Sequence, residues 1–290
     1  MKVLETIYII SMTVGIVLIA LHGDDSKSIV YAIILGIFIC IWLITSIIFI
    51  YKLGRKSKYA EAFNSVHDAL HTIRDIHRTL DRYLDNNSRK EFSKVEIRDM
   101  LRDALTAVSQ AYTMVTGVKC RVCIRVLGCD ADNGSKLEDY YLETFARDSV
   151  SATQKKHEDS KEEQEHRVTK NTVFKELAEK KRDYFYHGSV WDNDFFESTS
   201  CKQHDYNSVL VFPIRYSLKD IEIEEEKIEE SPFGEQILVG FLAIDAKPKN
   251  AFLERYDVQL GSCVADSLFS LLIKYKSACA LTADPNPEQR

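Results

Sequence analysis

Two cysteines three positions apart, Cys120 and Cys123 in "KCRVCIRVL", and two histidines one helical turn apart, His67 and His71, come nearest to metal or redox chemistry by type and spacing. A zinc or dithiol site needs its ligands to converge on one point. The cysteines sit in an alternating, β-branched run with strand character, where residues three apart face opposite ways. That separates the sulfurs, so no metal or redox role is assigned to them. His67 and His71 match two-ligand spacing on a helix, but no acidic or cysteine partner is fixed beside them. His166, His187 and His204 fall in loops or near strand ends, none with an obvious nucleophile. The chain lacks a P-loop glycine pattern, HExxH and GxSxG. No catalytic residue, metal or cofactor is assigned, and the chain is read as a non-enzyme.

The elements that would position any site begin with two apolar runs. Val3–Leu21 carries one charge, Glu5, at its start, and Ile29–Tyr51 carries none. At about 1.5 Å per residue both are long enough for a hydrocarbon core of about 30 Å. The second run holds 15 Ile, Leu, Val or Phe residues. Each favours insertion by about 0.3–0.6 kcal/mol. The spacing therefore predicts a transmembrane hairpin over residues 1–52, with spans at 3–21 and 29–51. Lys52, Arg55, Lys56 and Lys58 follow the second span, and the connector "HGDDSKS" has one lysine, Lys27. By the positive-inside rule both termini are cytoplasmic, which makes the chain a multi-pass protein of the cell inner membrane. Small residues at helical spacing, Ser11 and Gly15 in one span and Ala32, Gly36 and Cys40 in the other, allow close helix packing within a hairpin or between copies.

Residues 53–91 keep a heptad rhythm: Phe63, Val66, Leu70, Ile73, His77, Leu80 and Leu84 alternate in steps of three and four. The seam fits a parallel coiled coil in a homo-oligomer, or a helix laid against a broader core. "SKVE" then forms a capping box at Ser93 and Glu96. The helix it opens carries Ile97, Leu101, Leu105, Val108, Tyr112 and Val115 on one stripe and ends at Gly117.

From Lys119 the order is strand, strand, polar loop (Ser151–Arg167), helix, strand, acidic hairpin (Lys219–Gln236), strand and a last helix, before a polar tail over 279–290. Six glutamates fall between Glu222 and Glu230 and read as a solvated excursion rather than a cation site. Pro213 inside "YNSVLVFPIRYS" points to an edge or a bulge beside a ligand pocket. "SVLVFPI" (Ser208–Ile214), "ILVGFLAID" (Ile237–Asp245), Phe252, Asp257 and "LGSCVADSLFSLL" (Leu260–Leu272) together resemble a GAF domain over residues 92–278. That resemblance implies an α+β fold: an antiparallel sheet of about six strands, helices on one face and a small-molecule pocket on the other. Arg125, Asp194, Tyr206 and Arg215 are the polar groups placed in such a pocket. The resemblance names no ligand.

A net charge of −6 offers no basic face for phosphate, so direct nucleic-acid binding is not expected. The lipid bilayer is the expected partner. One sensor domain, one helical rod and two spans are similar in architecture to the two-transmembrane effectors of bacterial antiviral systems of retron or cyclic-nucleotide type. That likeness implies an effector that disrupts the inner membrane on phage infection. It further implies control by a partner encoded nearby, a reverse transcriptase with its RNA–DNA or a nucleotidyltransferase. The other reading is a GAF-type regulator that passes a ligand signal to a separate protein.

Overall fold

A computed structural model describes residue 13 and residues 25–85, 93–130, 136–154, 166–179, 182–192, 196–198, 206–217, 232–233 and 236–283. The chain divides into two units, Met1–Ala60 and Glu61–Arg290. Helix α1, Asp25–Asp85, has residues in both. Within the first unit, Ile33–Ile50 is long and apolar enough to cross a membrane, with a mean hydropathy of 3.0 and none of it buried. Ile37, Ile41, Ile44 and Ile47 are all more than half exposed, a contiguous apolar surface of the kind that meets lipid or a partner. The other predicted span, Val3–Leu21, lies outside the described residues apart from Thr13, which is helical.

In the second unit, the remainder of α1 buries Ala62, Val66, Ala69, Ile73, Ile76 and Leu80 in the domain's own core. Of the two readings of the seam, this matches the helix laid against a broader core. Val66, Ile73 and Leu80 are buried, Leu70, His77 and Leu84 are half-buried, and Phe63 is 65% exposed. The buried stripe shares Val66, Ile73 and Leu80 with the predicted seam and takes Ala62, Ala69 and Ile76 in place of Phe63, Leu70 and His77. Polar ties flank it: Lys274 Nζ lies 2.5 Å from an Asp81 carboxylate oxygen, and His77 Nε2 lies 3.3 Å from the Ser270 hydroxyl.

Helix α2, Lys94–Thr116, begins at Ser93, whose hydroxyl accepts the Glu96 amide at 3.2 Å. It stops at Gly117, whose φ of 74° is left-handed and spares a side chain the clash it would meet there. Five antiparallel strands follow: β1 Cys120–Cys129, β2 Tyr140–Arg147, β3 Phe185–His187, β4 Ser208–Ser217 and β5 Gln236–Ala246, ordered β2-β1-β5-β4-β3. Short helices α3 (Ser149–Gln154) and α4 (Thr172–Ala178) lie between strands, and α5 (Glu254–Ala283) closes the order. The architecture is α+β and GAF-like in its layers, with five described strands where about six were expected.

Strand alternation divides the apolar residues into two cores. Ile124, Leu210, Phe212, Leu242 and Ile244 join α1, α2 and α5 on one face. Leu127, Val209, Val211 and Phe241 join α4 and β3 on the other. Pro213 sits where β3, whose pairing stops at Val211, no longer needs an amide from β4, and one residue before a bulge between Ile214 and Arg215. Part of the expected polar loop is helical. The buried Asp148 carboxylate accepts the amides of Val150 and Ser151 at 3.1 and 3.0 Å, capping α3. Residues 155–165 and most of the acidic hairpin lie outside the described residues.

Candidate functional site

On β1, alternation sends Cys120, Val122 and Ile124 into the helix-covered core and Cys123 and Arg125 to the opposite face. The two sulfurs of "CRVC" therefore emerge on opposite faces of the sheet. Burial pushes the Cys120 thiol up to about 11, well outside the range of a reactive thiolate. At Arg125 the pairing with β2 slips: Ile124 faces Ala146 while Arg125 faces Thr144, leaving Phe145 as the extra residue. A bulge of this kind re-aims the side chains beside it. On the other flank Gly240 of β5 comes so close that a Cβ there would stand 2.2 Å from the Arg125 carbonyl oxygen.

The Arg125 side chain lines a cavity of about 50 Å³. Its apolar wall is Phe174, Phe196, Val209 and Val211, and Tyr206 closes one side. Trp191 buttresses that wall from behind. Its ring centroid is 5.2 Å from Phe196 and 5.9 Å from Tyr206, and its indole N–H donates to the Tyr206 carbonyl. The polar lining comprises Arg125, Arg147, Asn171, Glu197 and Asp245, among others.

These polar groups are not equivalent. Asp245 accepts from Arg121 at 2.6 Å, so its charge is already balanced. Asn171 is 2% exposed and donates to the Arg167 carbonyl at 2.8 Å. Glu197 faces solvent, its segment tied to α4 by mutual Thr172 and Glu197 hydrogen bonds of 2.9 and 3.1 Å. Arg125 is 6% exposed, and among the described residues its guanidinium has no hydrogen bond or ion pair. The cavity thus holds a guanidinium with which no described carboxylate pairs.

Of the four polar groups placed in a pocket from the sequence, Arg125 and Tyr206 line this cavity together. Arg215 does not: it pairs with Asp183 at 2.7 Å and donates to Gln236 at 3.1 Å. At Arg215 the pairing with β5 slips past Val239, and the side chain is engaged by Asp183 and Gln236 away from the cavity lining. Asp194 lies outside the described residues. Arg147 and Asn171 escaped the sequence reading. Arg147 has a signal in hindsight, since it pairs with Cys123 across the β1–β2 ladder and shares its face. Asn171, just before a short helix, resembled an ordinary cap.

Elsewhere, His67 and His71 meet through their Nε2 atoms at 2.8 Å, and Arg74 approaches His71 Nδ1 at 2.6 Å. No group of three or more metal-ligating side chains occurs among the described residues. Cys40 is exposed, and a Cβ on Gly36 would meet nothing within 4 Å. Ser11 and Gly15 lie outside the described residues, and the side chain of Ala32 is likewise not described.

No protein-family model matches the chain, and no curated protein matches it. Among solved structures it is similar to the GAF domain of an Acinetobacter phosphoenolpyruvate-protein phosphotransferase, at 16% identity over 74% of this chain and 98% of that one, with a TM-score of 0.37. A type II free methionine-R-sulfoxide reductase from Thermoplasma acidophilum matches at 18% identity over 60% and 94%, with a TM-score of 0.37. The phycoerythrobilin-bound GAF domain of a cyanobacterial phytochrome matches at 14% identity over 71% and 95%, with a TM-score of 0.33. Likenesses this distant assign neither a ligand nor an activity to this chain.

Proposed function

We propose that the chain is a membrane-anchored, non-enzymatic sensor whose sheet domain takes up a small molecule in the Arg125 cavity. The observation that carries this reading is Arg125, a residue 6% exposed that lines an aromatic-walled cavity and has no ion pair among the described residues. A ligand that pairs with it gains a charge-assisted contact, so occupancy raises the stability of the domain. The apolar window Ile33–Ile50 supports the anchor. Lys52, Arg55, Lys56 and Lys58 behind it support a cytoplasmic domain. Val3–Leu21 would complete a hairpin with both termini inside.

The test uses the full-length chain in spheroplasts and in inside-out vesicles, each treated with protease. Digestion of the domain only in inside-out vesicles, slowed by a low-molecular-weight metabolite extract, is the expected result. Recovery of intact protein in the soluble fraction overturns the anchor. Digestion that no metabolite fraction alters overturns the sensor.

In a second reading, the small-residue positions Gly36 and Cys40 let the spans cluster between copies and breach the inner membrane as a defence effector. It requires that expression of the full-length chain collapse the membrane potential; a normal potential removes it.

A further inference from the structure

The histidine pair on α1 serves neither the core nor the cavity. His67 and His71 stand one turn apart, and their Nε2 atoms lie 2.8 Å from one another. His67 is exposed and His71 half-buried, so water reaches the pair. Without an ion the contact is a hydrogen bond, and Arg74 sets its direction. A guanidinium only donates. Arg74, 2.6 Å from His71 Nδ1, therefore leaves the His71 proton on Nε2, facing the lone pair of His67. Both rings are then neutral imidazoles, the form that ligates a metal.

Two nitrogens facing each other at this distance also fit a shared ion. At a bond length of about 2.0 Å, nitrogens 2.8 Å apart subtend about 90° at the ion. That is the angle between neighbouring ligands of a square-planar or octahedral centre, the geometry of Cu(II) and Ni(II). A tetrahedral zinc needs its nitrogens about 3.3 Å apart at the same bond length. We infer that His67 and His71 form a binding site for a divalent transition metal of the copper–nickel class. The site is independent of the Arg125 cavity. No third ligating side chain joins the pair among the described residues, so water takes the remaining positions and the ion exchanges with solution. Once bound, it clamps one turn of α1. To admit it, the His71 proton moves to Nδ1 and Arg74 turns to Asp75, whose carboxylate is already 3.8 Å from the Arg74 Nε. Arg74 competes for His71 and repels a cation, so it lowers the affinity.

The experiment titrates the purified full-length chain, in detergent and without a polyhistidine tag, with CuCl2, NiCl2 and ZnCl2. Calorimetry should give one copper per chain, bound more tightly than nickel, with zinc weakest. Electron paramagnetic resonance of the copper complex should show coupling to two imidazole nitrogens. The rigid helix makes the second bond intramolecular, so His67→Gln or His71→Gln should weaken copper binding about 100-fold. Arg74→Ala should tighten it. Saturating copper should raise the melting temperature of the parent chain and leave that of the double histidine variant unchanged. Neither histidine belongs to the core, so the ion-free variants should melt within about 2 °C of the parent. Parent-like affinity in the double variant overturns the site. One copper for every two chains overturns the single-helix geometry, and zinc bound more tightly than nickel overturns the right angle on which the metal class rests. An Arg74→Ala chain that binds copper no more tightly than the parent overturns the inference too. Should the ion-free variants melt lower, the copper signal of the parent chain decides, and coupling to fewer than two nitrogens overturns the pair as ligands.

Discussion

The two faces of one sheet are built to different standards. Against the long helices, Phe212 and Ile244 are essentially fully buried, and Leu268 and Leu271 of α5 close over them. The Tyr112 hydroxyl donates to the Asp257 carbonyl at 2.6 Å, and the Asp257 carboxylate accepts the Leu253 amide at 2.6 Å, so polar groups buried here are satisfied within the chain. Across the sheet, an aromatic wall borders a cavity, and Arg125 there has no counter-ion among the described residues. The first face has the density that makes a fold stable. The second is less fully packed, and under the proposed function a ligand completes it. The sheet separates the two demands, so that a pocket can change without dissolving the core behind it.

That contrast is broken most directly by truncating one aromatic ring on each face. Phe212→Ala should cost about 3–5 kcal/mol, because a fully enclosed ring leaves a void its neighbours cannot fill. Phe174 is 8% exposed and already borders open space, with Phe241 at 4.9 Å between ring centroids. Its replacement by alanine should cost about half as much, since less cavity is newly created. Denaturant midpoints of the two full-length variants check this. Equal losses would mean that both faces are packed alike.

A subtler probe adds carbon instead of removing it. Ala265 on α5 is 1% exposed, and Ala265→Val should lose about 1–3 kcal/mol to overpacking and to the poorer helix propensity of valine. Ala243 on β5 lines the cavity, so Ala243→Val extends into existing space in a strand that favours β-branched residues. It should stay within about 0.5 kcal/mol of the parent while weakening ligand uptake. Thermal unfolding of the pair decides; the reverse order would place the tight face on the wrong side.

How much of this was legible depends on the length of the signal. The cap at Ser93, the stop at Gly117 and the opposite facing of Cys120 and Cys123 follow from local geometry, and each stands where the sequence puts it. Strand β3 spans three residues, too few to show a period of two. Arg125 could be placed on the pocket face by alternation, but which groups surround it depends on residues far away in the chain. Arg215 is tied to Asp183 and Gln236 instead, partners that its own stretch of sequence does not reveal. The heptad seam was detected as a rhythm, yet which copy or layer it meets depends on small residues such as Ala62 and Ala69, whose partners lie far off in sequence.

The smallest expected effect lies at His77, on the helix-covered side. Burial, with the positive charge of Lys274 next, holds its imidazole below the ordinary 6.5, while a Ser267 backbone contact and Asp81 pull the other way. The folded chain therefore binds this proton more weakly than the unfolded chain does. The stabilising contribution is complete above about pH 6.5 and is lost as pH falls through the lowered folded value. Melting the full-length chain between pH 7.5 and 5.5 should reveal a modest acid-side decline, and His77→Gln should flatten it. A variant whose profile stays parallel to that of the parent would assign the decline to other groups. The comparison between faces then acquires a chemical form. Under the helices burial works against a charge on His77, whereas across the sheet Arg125 is built into the wall of a cavity.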